Sequence, residues 1–209
     1  MAIAALSNFT VPLASDQSAS SQGLLMPKLK YRFRISFENF GTSGSTTELT
    51  KQVSEAARPS VKFADQKIEI YNSVIHYAGK PAWDPIKVVL RDDVTNNVTT
   101  LVGEQNQKQF DFFEQSSAAS GGDYKFLMRI EMLDGGNGAN TPTVLETWEC
   151  YGCYVTIASY EAISYAEQGP AMIKLTIQPD NCLQTTTPGV GTPVARTLGT
   201  QVTGGGTRG

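Results

Sequence analysis

One histidine (His76) and three cysteines (Cys150, Cys153 and Cys182) are all that 209 residues offer to the commonest nucleophilic and metal-binding chemistries. A Ser-His-Asp or Cys-His site would have to be built on His76, which in its apolar run reads as a structural residue. An odd cysteine count argues against a closed intrachain disulfide framework. Cys150 and Cys153 have CxxC spacing, but zinc needs four ligands and no second pair follows. A thioredoxin-like role needs a helix N-terminus there, whereas the flanking residues read as strand, on which positions three apart face opposite ways. No metal or cofactor is expected.

Charge is also sparse, at 18% of residues, and the net charge of −3 provides no global basic field to draw the chain to nucleic acid. No run approaches the ~20 apolar residues of a membrane span. The N-terminus has no basic region before an apolar core, so no signal peptide is expected. Gly135-Gly136-Asn137-Gly138 lacks the following Lys-Ser/Thr of a P-loop and reads as a turn. No nucleophile, base and orienting group can be assembled, so an enzyme is not expected.

What is present is pattern. Apolar content of 40% suits one domain with a sizeable core. Lys30–Phe37 alternates strictly, with Tyr31, Phe33, Ile35 and Phe37 on one face and Lys30, Arg32 and Arg34 on the other, which predicts a core strand. Interleaved aromatics and bases can form a stacking platform for single strands, but this alternation turns the aromatics inward. Leu49–Ser54 reads as a second strand or an irregular approach to one. Lys125–Leu133 and Ala171–Gln178 alternate in the same way. Val144–Ile157 predicts a long strand with a bend or bulge at Gly152. Val98, Leu101, Val102, Gln105, Gln109, Phe112 and Phe113 recur at three and four, predicting one helix over residues 97–117, roughly 31 Å long. Thr95 or Asn96 would cap it. Asp92-Asp93 precede it, where carboxylates favour a helix N-terminus over a metal site. Strands with a single long helix describe an antiparallel β-sandwich or barrel with a flanking helix.

The chain is organised around residues 58–93. Val61–Phe63 and Lys67–Tyr71 are rich in β-branched and aromatic residues. Ala78-Gly79-Lys80-Pro81 is expected to break the extended run, leaving a long irregular arm. Trp83-Asp84-Pro85 then leads into a strand with Ile86, Val88 and Leu90 inside. The order of Arg58-Pro59, Tyr71-Asn72, Ala78-Gly79-Lys80, Trp83-Asp84-Pro85 and Arg91-Asp92-Asp93 resembles the tail tube proteins of contractile-tailed bacteriophages, over residues 28–184. Residues 1–27 then form an N-terminal arm and 185–209 a Thr/Gly-rich extension.

The resemblance implies a tail-tube fold whose six-membered rings join their sheets into a continuous barrel around a channel. It implies a structural virion protein, assembled in the host cytoplasm, that stacks into the inner tube through which DNA is delivered. Its partners would be itself, the tail sheath protein, baseplate and tail-terminator proteins, and the tape measure protein and genomic DNA in the lumen, with no membrane. By resemblance, contacts between subunits and rings fall to Arg58, Lys62, Tyr71, Asn72, His76, Lys80, Trp83, Asp92 and Asp93. The helix would face the sheath with Glu104, Asp111 and Glu114. Two cysteine readings stand: buried structural thiols, or a bridge to a neighbouring subunit drawing on Cys150, Cys153 or Cys182, with Cys182 as first candidate. An acidic balance suits a channel that does not hold phosphate, and Lys30, Arg32 and Arg34 fit this poorly unless Glu131 or a neighbour pairs with them. The alternatives are the tube of a related contractile injection system, or a baseplate protein of the same fold that initiates the tube. A secreted β-sandwich binding domain would call for a signal peptide.

Overall fold

The computed structural model describes residues 27–42, 45–136, 141–166, 168–186 and 188–194. The expected N-terminal arm, apart from Pro27, and the end of the C-terminal extension lie outside these. Strand β1 (Phe33–Glu38) is followed by helix α1 (Thr47–Gln52), β2 (Val53–Ala56), a hairpin of β3 (Val61–Ile70) and β4 (Ser73–Trp83), and β5 (Ile86–Arg91). Helix α2 (Asn97–Gln109), the short pair β6 (Phe110–Asp111) and β7 (Ser116–Ser117), and α3 (Gly121–Tyr124) come next. The chain ends in β8 (Phe126–Leu133), β9 (Val144–Tyr160), β10 (Met172–Gln178) and β11 (Asn181–Gln184).

Alternation builds the core. Phe126, Met128, Ile130 and Met132 of β8 are buried, as are Ile86, Val88 and Leu90 of β5 and Ile173, Leu175 and Ile177 of β10. Each such side chain is worth ~1.5–3 kcal/mol when fully buried. The strands run in the order β1-β8-β9-β10-β5-β2, all pairs antiparallel, with β11 also on β9. The architecture is an antiparallel sandwich, because β9 serves both layers. Its first part lies between β8 and β11, and its last part pairs with β10.

The corner is at Gly152, whose φ of 64° is in the left-handed region and whose missing Cβ leaves room for the Asp180 carboxylate. The expected bulge is here. Phe126 pairs with Cys153 and Met128 with Cys150, two steps against three. That extra residue corrects the cysteine reading, because it resets the alternation and turns Cys150 and Cys153 to the same buried side.

Several expectations change. Tyr31 is exposed rather than core, since pairing with β8 starts only at Phe33 opposite Met132. Part of the second strand is helix α1, whose Leu49 is buried. The long helix stops at Gln109. Asp111 Oδ1 accepts the N–H groups of Phe113 (2.9 Å) and Glu114 (3.1 Å), a turn that competes with helix continuation. Val98, Leu101, Val102 and Gln105 form its buried face as the spacing predicts, whereas Phe112 and Phe113 are exposed. Neither Thr95 nor Asn96 caps it with a side chain. Asp93 Oδ1 accepts the Asn97 N–H at 3.0 Å, and Asp92 Oδ1 accepts from the Thr99 hydroxyl at 2.8 Å, so the two acids sit at the helix start.

Candidate assembly surfaces

The expected irregular arm is regular. Residues 61–83 form one long two-stranded hairpin that joins neither layer of the sandwich. Ala78–Pro81 does not end it. Asp65 pairs with Ala78 and Phe63 with Pro81, so the break is absorbed as a bulge within β4. Gly79 fits this bulge because a Cβ there would come within 2.9 Å of the Ala64 carbonyl oxygen. The hairpin turns at Tyr71-Asn72 between paired Ile70 and Ser73. Tyr71 has φ 47° and is 100% exposed.

Register assigns the two faces. Residues directly opposite share a face, and faces alternate along each strand. Ile70 with Ser73, Ile68 with Ile75 and Gln66 with Tyr77 make an apolar face. Glu69 with Val74, Lys67 with His76 and Asp65 with Ala78 make a charged one. Ile68 (49% exposed) and Ile75 (51%) cover only half of each other. Among the described residues, this two-stranded ribbon has no further strand or helix to bury them against.

The root of the hairpin is held firmly. Asp84 N–H donates to Ser60 O at 2.9 Å, and Lys62 Nζ lies 2.8 Å from Asp84 Oδ1, which holds the Asp84 carboxyl below its ordinary value. Trp83 packs edge-on against Trp148 at 6.4 Å and donates to Asn181 Oδ1 at 3.2 Å. Trp83 is therefore a partly buried anchor of the root. Arg58 reaches Glu146 at 3.6 Å.

Glu146, which the sequence pattern does not single out, is a buried hub. It is paired with Lys28 at the N-terminal end of the described chain, and accepts from Trp148 Nε1 (2.5 Å) and Gln184 Nε2 (3.1 Å). Burial pushes its carboxyl up, but the bonds from Lys28, Trp148 and Gln184 together hold it below the ordinary value. An acid flanked by Leu145 and Thr147 at a buried strand position was its only sequence signal.

The remaining predicted residues are dispersed. Lys80 is exposed on β4, and His76 Nδ1 lies 3.0 Å from Asp65 Oδ2 with no hydroxyl or thiol bonded to it among the described residues. Asp92 and Asp93 are occupied at the start of α2. Glu104 is on α2, where it accepts from Thr42 N–H at 2.8 Å. Neither Asp111 nor Glu114 is on the helix: Asp111 ends β6, and Glu114 lies in the turn between β6 and β7, beside exposed Phe112 and Phe113. The backbone bonds from Glu114 and Phe113 lower the Asp111 carboxyl.

The cysteines lie inside. Cys150 and Cys182 are opposite one another on β9 and β11, and Cys153 is beside them, all fully buried and free. The Cys182 contact and burial push the Cys150 thiol up, and burial pushes Cys153 up to about 12. None exposes sulfur at the surface of the subunit, which supports the reading as buried structural thiols over the bridge. The outer basic residues are also accounted for in part. Arg34 Nε lies 2.6 Å from Glu131, and Arg129 pairs with both Glu38 and Glu149.

The sequence matches no protein-family model and no curated protein. Solved structures do match. The tube-terminating cap of the anti-feeding prophage (AFP) shares 14% identity over 82% of this chain and 99% of that one, with a TM-score of 0.58. A chain of the baseplate of the same particle, 6-fold symmetrised, shares 10% over 78% and 97%, with a TM-score of 0.51. A chain of the sheath–tube complex of the extracellular contractile injection system PVC, in its extended state, shares 13% over 76% and 91%, with a TM-score of 0.50. This chain shares its fold with these cap, baseplate and sheath–tube chains of contractile assemblies.

Proposed function

We propose that this chain polymerises as stacked hexameric rings into the inner tube of a contractile phage tail, the conduit for DNA. The observation that supports this most is the β3–β4 hairpin, a regular element with an apolar face that the described residues of its own subunit leave exposed. The hairpin reaches an adjacent ring or neighbour and buries Ile68, Ile70, Ile75 and Tyr77 there. Lys62, Tyr71, Asn72, His76 and Lys80 frame that contact, while Arg58 and Trp83 fix its root. The sheath protein meets the side of the subunit formed by α2 and the turn after it, with Glu104, Asp111 and Glu114. Tape measure protein and DNA occupy the lumen, and baseplate and terminator proteins close the ends. The protein resides in the virion tail after assembly in the host cytoplasm.

The likeness to a tube-terminating cap and to a baseplate chain favours a second reading, a single ring that ends or starts a tube. Negative-stain electron microscopy of the purified protein separates them. Hollow tubes of indefinite length are expected for a tube subunit, and discrete rings for a cap or initiator. A monomer at high concentration that also fails to extend purified baseplates overturns both.

A further inference from the structure

We infer that Cys150 and Cys182 form a cross-strand disulfide within the subunit in oxidising surroundings, stapling β11 to β9. The bond needs no second copy of the chain.

Backbone direction places the two side chains. Along an antiparallel strand, the N–H and C=O of one residue point to one side, and those of the next to the other. Thr147 O accepts the Thr185 N–H at 3.1 Å, and Tyr151 O accepts the Asp180 N–H at 3.0 Å. Residues 147, 149 and 151 of β9 therefore direct their backbone at β11, and Cys150 directs its own at β8. On the other strand, Gln184 N–H donates away from β9, to Val190 O at 2.7 Å, and Cys182 shares its direction. The directly opposed Cys150 and Cys182 are thus a non-hydrogen-bonded pair. Such pairs hold their Cα atoms about 4.5 Å apart and their side chains closest. Disulfides span Cα separations of roughly 4.4–6.8 Å. Both cysteines are fully buried, and their sulfurs are already in hydrogen-bonding contact.

The third cysteine is set apart. Cys153 lies past the Gly152 corner, opposite Phe126 rather than a cysteine, and its Sγ donates to Cys150 O at 3.2 Å. It remains as the odd thiol.

The edge strand gives access. β11 has four residues and pairs with β9 alone among the strands, and local opening of such a segment precedes global unfolding. Opening admits a low-molecular-weight disulfide. One cysteine thiolate attacks a sulfur of that reagent and expels a small thiolate, giving a mixed disulfide. The second cysteine thiolate attacks the protein sulfur, the second small thiolate leaves, and the Cys150–Cys182 bond forms. The two cysteines lose two electrons and two protons, and the reagent takes them up as two thiols. With β11 closed, the Cys182 contact and burial keep Cys150 protonated, so the pair is inert until the strand opens. A reducing cytosol leaves it free.

The staple bears on the root of the hairpin. Asn181 of β11 accepts from Trp83 at 3.2 Å, and Gln184 donates to Glu146 at 3.1 Å. Tying β11 to β9 fixes the strand on which that root rests.

The test uses full-length protein incubated with glutathione disulfide, in buffer and in urea below the unfolding transition. Free thiols are then alkylated in denaturant, and the chain is cut with chymotrypsin, which cleaves after Tyr151 and separates Cys150 from Cys153. The expected product is the Cys150 peptide linked to the Cys182 peptide, with Cys153 alkylated and the protein monomeric on a non-reducing gel. The urea midpoint should rise by roughly 1 M, as for a closed loop of this length, and fall back with dithiothreitol. Cys153→Ala should form the same link, and Cys182→Ala should show no rise. Three alkylated cysteines in both conditions, a link through Cys153, a cross-linked dimer, or an unmoved midpoint overturns the staple.

Discussion

The sandwich and the β3–β4 hairpin are both antiparallel β-structure rich in Ile, Val and aromatic residues, yet they use those residues oppositely. On β8 every second side chain is buried, whereas on β3 and β4 not one is. The difference is not composition but partners. A strand of the sandwich has a second layer behind it, and among the described residues no layer lies behind either face of the hairpin. The same apolar side chains therefore stabilise the fold in one region and are left for association in the other.

Four measurements break or sharpen that contrast. The largest effect is expected from Ile68→Asp with Ile75→Asp. Assembly should be abolished in electron micrographs, while monomer stability to urea changes by no more than ~0.5 kcal/mol per site, as for surface substitutions. A loss of fold would mean the hairpin belongs to the core after all. In the sandwich, Leu175→Ala removes a fully buried side chain and should cost ~2–5 kcal/mol by the same denaturation. Next comes Gln105→Ala. Gln105 is buried, accepts from Gly41 N–H at 3.1 Å and donates to Tyr124 O at 2.7 Å. Leaving those groups unsatisfied should cost ~1–3 kcal/mol.

The smallest effect is one of pH, at the root of the hairpin. The Glu146 carboxyl is held below its ordinary value when folded. Its contribution to stability is therefore complete above the unfolded value, ~4.3, and is lost as pH falls through the folded one. Denaturation midpoints across that acid range should fall less steeply in Glu146→Gln than in wild type. Parallel curves would mean that Glu146 is not the group titrating.

The sequence reveals the sandwich better than the surfaces. Period-two burial is written directly into Phe126–Met132 and Ile86–Leu90, because one face of each strand meets apolar neighbours whatever the rest of the chain does. The bulge at Gly152 was legible from a glycine in a broken alternation. Its consequence for Cys150 and Cys153 was not, since it depends on register against β8. Helix α2 was legible up to Gln109, where a local carboxylate, Asp111, overrides a continuing apolar period. The hairpin was hidden by Gly79 and Pro81, which usually interrupt strands but here occupy a bulge in a ribbon whose edges are free. The role of Glu146 as a hub was not legible, because its partners come from residues 28, 58, 148 and 184, which only the fold brings together.

The bend in β9 has a mechanical meaning. From Val144 to Tyr160 one uninterrupted backbone passes through both layers. A force applied to either layer is thus carried to the other along covalent bonds, not across a slip plane of packed side chains. Shear between the layers would have to unfold the corner at Gly152, where Asp180 fills the space a side chain would take. A subunit wired this way resists sliding of one layer over the other.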